Sequence, residues 1–147
     1  MRIRSIVLVI FLVSLCPALS AQPASSVERW DLFELALQSQ ESHANPFREA
    51  WLKATFSHPS GRRIQVHGFY DGGSTWRVRF MPLEVGRWDY VTESNVPSLS
   101  GSRGYLECVP AKTPYLHGPL NNDGLHFRHA DGTRPFLIST RLSCQFG

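Results

Sequence analysis

The chain has 147 residues, of which 42% are hydrophobic and 18% charged, enough for one domain with a single core and too apolar for a disordered segment. Its formal charge of +3 is weaker than it looks, because Arg2 and Arg4 stand at the very start and thirteen basic residues face twelve acidic ones after residue 21. A balance of +1 without a Lys/Arg cluster excludes the basic patch that a nucleic-acid partner demands.

Arg2 and Arg4 precede an apolar run from Ile6 to Leu15, followed by Pro17, Ala18, Ser20 and Ala21. This charged, apolar, small-residue order predicts a secretory signal peptide over residues 1–21, and therefore export to the periplasm, the medium or the cell surface. A ten-residue helix spans about half of a ~30 Å hydrocarbon core, so no membrane attachment is expected once the signal is removed. Lipidation at Cys16 is disfavoured by the bulky Leu15 before it.

From Val27 onward, apolar residues recur at every second position in short runs separated by turn residues, which is the signature of half-buried strands. Phe33, Leu35 and Leu37 form one such run, Leu52, Ala54 and Phe56 a second, and Ile64 with Val66 a third. The segment Trp76-Arg77-Val78-Arg79-Phe80 predicts a strand with two arginines on one face and three large apolar groups on the other. Tyr70-Asp71-Gly72-Gly73-Ser74 before it reads as a turn, since Asp-Gly and Gly-Gly steps accept positive φ. The loop 81–86 leads to a strand at Trp88–Thr92, and Gly104–Val109 supplies the last one. Arg62-Arg63, the only adjacent basic pair after residue 21, falls in a hairpin turn. No segment keeps a helical period.

About six antiparallel strands at this spacing predict an all-β chain, a β-sandwich over residues 27–110. Residues 111–119 contain Pro114 and Pro119 and read as an extended linker, because proline fixes φ and removes a backbone donor. A hairpin is then predicted from Leu125–His129, through a turn at Ala130-Asp131-Gly132-Thr133, back along Pro135–Ile138. Cys108 and Cys144 remain after the signal; unpaired buried thiols are favoured over a disulfide, although their spacing alone decides neither.

The stretches Val27–Glu34, Asn45-Pro46-Phe47, Gly68–Gly72, Arg77–Pro82, Gly86–Tyr90 and Cys108-Val109-Pro110 occur in an order that resembles one module. This is the uncharacterised Ig-like β-sandwich that precedes an apiosidase-like or cellulase-like (β/α)8 barrel in secreted bacterial glycoside hydrolases. His117-Gly118-Pro119, Phe127, Ala130–Thr133 and Pro135–Leu137 are similar to the linker and the hairpin that opens the barrel. A (β/α)8 barrel needs ~200 residues or more, with catalytic groups spread over several strand ends. Residues 120–147 supply only 28, so the resemblance implies the truncated start of such a barrel and a chain that is not an enzyme as it stands.

The residues agree with that expectation. Glycoside hydrolysis requires two carboxylates about 5 to 10 Å apart, whereas Asp123 and Asp131 both occupy turn sequence, where Asp bonds nearby backbone. Among six histidines the closest pair, His126 and His129, points to opposite faces of a strand, so no metal is expected, and no other cofactor motif is present. Aromatic rings are the remaining candidates for binding, since Trp and Tyr stack on sugars while keeping a wet edge. Of Trp30, Trp51, Tyr70, Trp76, Trp88, Tyr90 and Tyr105, the alternating Trp76, Trp88 and Tyr90 are assigned to the core. Tyr70, at a strand end, is the candidate glycan contact. The expected function is a non-catalytic accessory sandwich that packs on a catalytic barrel in full-length relatives, with polysaccharide as the partner. A free-standing carbohydrate-binding module is the alternative, and a structural envelope domain a third.

Overall fold

The computed structural model describes residues 25–136, so the expected signal at 1–21, the expected strand residues Leu137 and Ile138, and Cys144 lie outside the described residues. Within them are β1 (Ser25–Glu28), β2 (Phe33–Gln38), a one-turn helix α1 (Pro46–Glu49), β3 (Leu52–Ser57), β4 (Arg63–His67) and β5 (Phe69–Gly72). There follow β6 (Thr75–Phe80), β7 (Gly86–Ser94), a 3-10 turn at Pro97–Leu99, β8 (Arg103–Val109), β9 (Leu120–Asp123) and β10 (His126–His129).

Two sheets form the sandwich. One has the order β1-β8-β7-β3-β4, the other β2-β6-β5, and β9 pairs with β10 in a separate hairpin. The alternation that marks the strands also builds the core: Phe33 and Leu35 of β2 with Trp76, Val78 and Phe80 of β6 face Leu52, Ala54, Phe56, Trp88, Tyr90 and Leu106 of the larger sheet. Full burial of each large side chain contributes about 1.5–3 kcal/mol. The rings interlock across the layers, Phe33 meeting Phe56 edge-on at 6.0 Å and Phe80 meeting Trp88 at 5.1 Å. Trp88 buries its indole and still donates its Nε1–H to the Glu84 carbonyl at 2.9 Å. Cys108 is a buried thiol, and burial pushes its pKa up to about 11. On the outer face, Arg77 and Arg79 of β6 both grip the Glu34 carboxylate of β2, the opposite-face arrangement expected from Trp76–Phe80.

The all-β sandwich stands, with five differences of detail. Eight strands rather than six make its sheets, and β1 runs parallel to β8, whereas antiparallel pairing was expected throughout. Tyr70–Gly72 is not turn but strand: Asp71 is the extra residue of a bulge, and the turn contracts to Gly73-Ser74. The local sequence Asn45-Pro46 starts a helical turn too short to show periodicity. Finally, His126–His129 pairs with the segment before it, not with 135–136 after it. The turn is Gly124-Leu125, with positive φ at Gly124 (66°) alone, as a type II′ turn requires. The Asp131-Gly132 turn does form, His129 and Thr133 bonding across it at 2.9 Å, but Pro135 and Phe136 form no strand.

The segment after β8 docks back on the sandwich. The Glu28 carboxylate accepts the N–H groups of Lys112 and Thr113, both at 2.9 Å, which hold its pKa below the usual range. Trp30 adopts a left-handed φ of 73°, and its ring lies so close to Gly118 that a Cβ there would fall 2.7 Å from it. Gly118 itself has φ 77°, a second reason for glycine at this position.

Candidate functional site

The side chain named from sequence, Tyr70, lies at the rim of a cleft of about 220 Å³ where β3, β4 and β5 meet the α1 turn. Tyr70 is half-buried rather than freely exposed. Its ring packs against Trp76 on one contact and Phe47 on another, and its hydroxyl donates to the Gly73 carbonyl at 2.9 Å. A smaller recess of about 120 Å³ shares Pro46, Tyr70 and Trp76, and the Nε2 of His43 is buried there without a partner among the described residues.

The more exposed aromatics of the cleft are Phe47 (77%) and Trp51 (39%). Both are placed by local bonding. The α1 turn starts with Pro46, whose missing N–H costs nothing at a helix start, and Glu49 reaches back to accept the Asn45 N–H at 3.1 Å. Phe47 is thereby lifted beside Tyr70, edge-on at 5.4 Å. Trp51 is held at both ends of its backbone: its N–H donates to Asn95 Oδ1 at 2.9 Å, and its carbonyl accepts the Ser94 hydroxyl. Asn95 also donates to the Glu49 carbonyl at 2.7 Å, joining the helical turn to the end of β7. The Lys53 ammonium sits 5.0 Å from the Trp51 ring centroid. At the floor, Gly68 leaves no room for a Cβ, which would meet Leu52 and the Arg77 carbonyl.

The other candidates separate by environment. Trp76, Trp88 and Tyr90 are core, as assigned, and Tyr105 lies on the outer sheet face under Arg87 at 4.0 Å. Asp123 pairs with Arg128 at 2.8 Å. Asp131 accepts the Thr133 N–H at 2.9 Å and binds His117 at 2.7 Å, and these bonds, the Thr133 amide foremost, bring its pKa down to about 2. His129 does not meet His126; its ring lies 5.3 Å from His117 and its Nδ1 is 3.0 Å from the Gly118 carbonyl. This cluster of His117, His129 and Asp131 depends on the docked connector and has no local sequence signal. Among the described residues no group of three or more His, Cys, Asp or Glu is placed to hold a metal ion. Phe47 was not singled out, although Asn45-Pro46 is a helix-start signal that places it in the α1 turn.

Residues 26–95 match the family model described as a domain of unknown function (DUF5060). No curated protein matches the chain. Among solved structures, a protein from Bacteroides vulgatus described as a "putative glycoside hydrolase" is 42% identical over 76% of this chain, with a TM-score of 0.69. That coverage carries the likeness past Asn95, beyond the family match, into the remainder of the sandwich. The chain spans 21% of that protein's length, so it is similar to one module of a much longer glycoside hydrolase-like polypeptide.

Proposed function

We propose that this chain supplies the non-catalytic accessory sandwich of an exported glycoside hydrolase polypeptide. The observation that carries the reading is the match at 42% identity to one fifth of a longer protein described as a "putative glycoside hydrolase". The apolar leader at 1–21 supports export.

Two physical features favour an accessory role. A glycosidase acid must keep its proton near neutrality, which takes a carboxyl group raised above its usual range. The shifted carboxylates here all move the other way: Glu28 under the Lys112 and Thr113 amides, Glu34 under Arg79 and Arg77, Glu41 under Ser98, Glu84 under Ser60 and Arg62, and Asp131 under Thr133. The second feature is the β9–β10 hairpin, which has no fully buried residue and presents Leu125 (97% exposed) and Phe127. A two-stranded hairpin is marginal alone in water, and this face suits packing against a neighbouring catalytic domain.

The test is release of reducing sugar from a panel of plant and algal polysaccharides by the purified chain. No release is expected. Hydrolysis that co-purifies with the chain and is insensitive to substitution of the hairpin residues would overturn the accessory reading.

A further inference from the structure

We propose that the cleft between Phe47, Trp51 and Tyr70 is a binding subsite for one neutral sugar residue of a polysaccharide. The inference rests on the glycoside hydrolase reading above and gives the accessory sandwich a recognition role of its own.

Trp51 and Phe47 present ring surface to solvent although neither belongs to the buried core. Trp51 is also ordered in advance, its backbone held by Asn95 and Ser94, so a ligand that stacks on it loses little further conformational freedom. A ring with an apolar face and a wet edge matches the C–H face of a sugar with its rim of hydroxyls. No carboxylate, lysine or arginine lines the cleft, and His67 contributes the one imidazole, whose ring nitrogens can donate to or accept from a hydroxyl. A charged ligand would find no countercharge within it; Lys53 lies over the Trp51 ring, outside the lining. At about 220 Å³ the cleft is smaller than the ~300–1,000 Å³ of drug-sized sites, which limits it to roughly one sugar ring of a longer chain.

The strand register separates this site from the domain junction. Gly86, the first residue of β7, pairs with Cys108 where the chain leaves β8, whereas Ser94, the last, pairs with Leu52 beside the cleft. Nine strand residues place these ends about 27 Å apart. A domain joined through the connector would meet the far end of the sheet and leave the cleft open to a diffusing glycan.

The experiment is affinity electrophoresis of the full chain in hydroxyethylcellulose, arabinoxylan and galactomannan, with polygalacturonate as the acidic comparator and Trp fluorescence as a second readout. Retardation by at least one neutral glycan is expected, weakened about tenfold or more by Trp51→Ala and by Phe47→Ala, and unchanged by Phe127→Ala on the hairpin. Phe47→Ala alters an exposed ring, so its loss of binding with an unchanged melting curve separates recognition from folding. Binding confined to polygalacturonate, binding that survives both substitutions, or no binding to any neutral glycan would overturn the subsite. Those results would leave the accessory reading intact if no sugar is released, whereas sugar release would strike that reading first.

Discussion

Phe56 and Phe80 stack face to face, their centroids 3.9 Å apart and their planes within 5°, and each belongs to a different sheet. Because each ring of this pair also touches a further aromatic of the opposite sheet, removing either one opens a void that the opposite sheet cannot fill without moving. Phe56→Ala is expected to cost about 3–5 kcal/mol, a large share of the 5–15 kcal/mol typical of a domain. A urea titration followed by Trp fluorescence checks this, and a midpoint unchanged from the parent would show that the sheets do not depend on the pair.

The bonds of Asp131 tie the hairpin to the connector, and its lowered pKa makes that tie sensitive to acid. The folded carboxyl titrates at about 2 against 3.8 for the free group. Its contribution is therefore complete above pH 3.8 and is lost as the pH falls through the folded value. Carboxyl-detected NMR is expected to give a midpoint near 2 for Asp131. In Asp131→Asn the Thr133 amide is expected to exchange faster at neutral pH and to show no further acid-dependent step.

Gly118→Ala strikes the same junction by a different route. The added methyl would enter the Trp30 ring and oblige an L-residue to hold φ 77°. Faster cleavage by trypsin at Lys112 is expected, while the sandwich core, remote from Gly118 in its hydrogen bonding, keeps its unfolding midpoint within about 0.5 kcal/mol. A core destabilised as much as the connector would mean that the two form one cooperative unit.

The apolar hairpin face has a consequence in solution. Leu125 and Phe127 of the hairpin are exposed, as are Phe136 and Tyr115 elsewhere in the chain, and such side chains promote association when nothing covers them. Sedimentation velocity is expected to show concentration-dependent self-association that falls in the double variant Leu125→Ser/Phe136→Ser. Equal behaviour of parent and variant would remove the hairpin as an interface.

Much of this architecture could be read from residue alternation, and the exceptions have a common cause. β2, β3, β4, β6, β7 and β8 each bury one face, so a two-residue period marks them. β1 is Ser-Ser-Val-Glu and β9 is Leu-Asn-Asn-Asp, strands with little to bury; β1 is paired by β8, about 80 residues further on, and β9 by β10 across a two-residue turn. The cleft shows the same division. Tyr70 was singled out from its strand-end position and is half-buried, whereas Phe47 and Trp51, the more exposed rings, are held through Ser94 and Asn95, more than 40 residues away. Core membership leaves a periodic trace; the absence of a covering neighbour leaves none.

The parallel pairing of β1 with β8 decides how the module carries load. Ser25 lies opposite Leu106 and Glu28 opposite Val109, so the chain enters at one end of this strand pair and departs at the other. Tension applied between Ser25 and Val109 would pull the two strands past each other lengthwise. All the rungs of that ladder then resist at once, where a pair pulled apart from one end would open rung by rung.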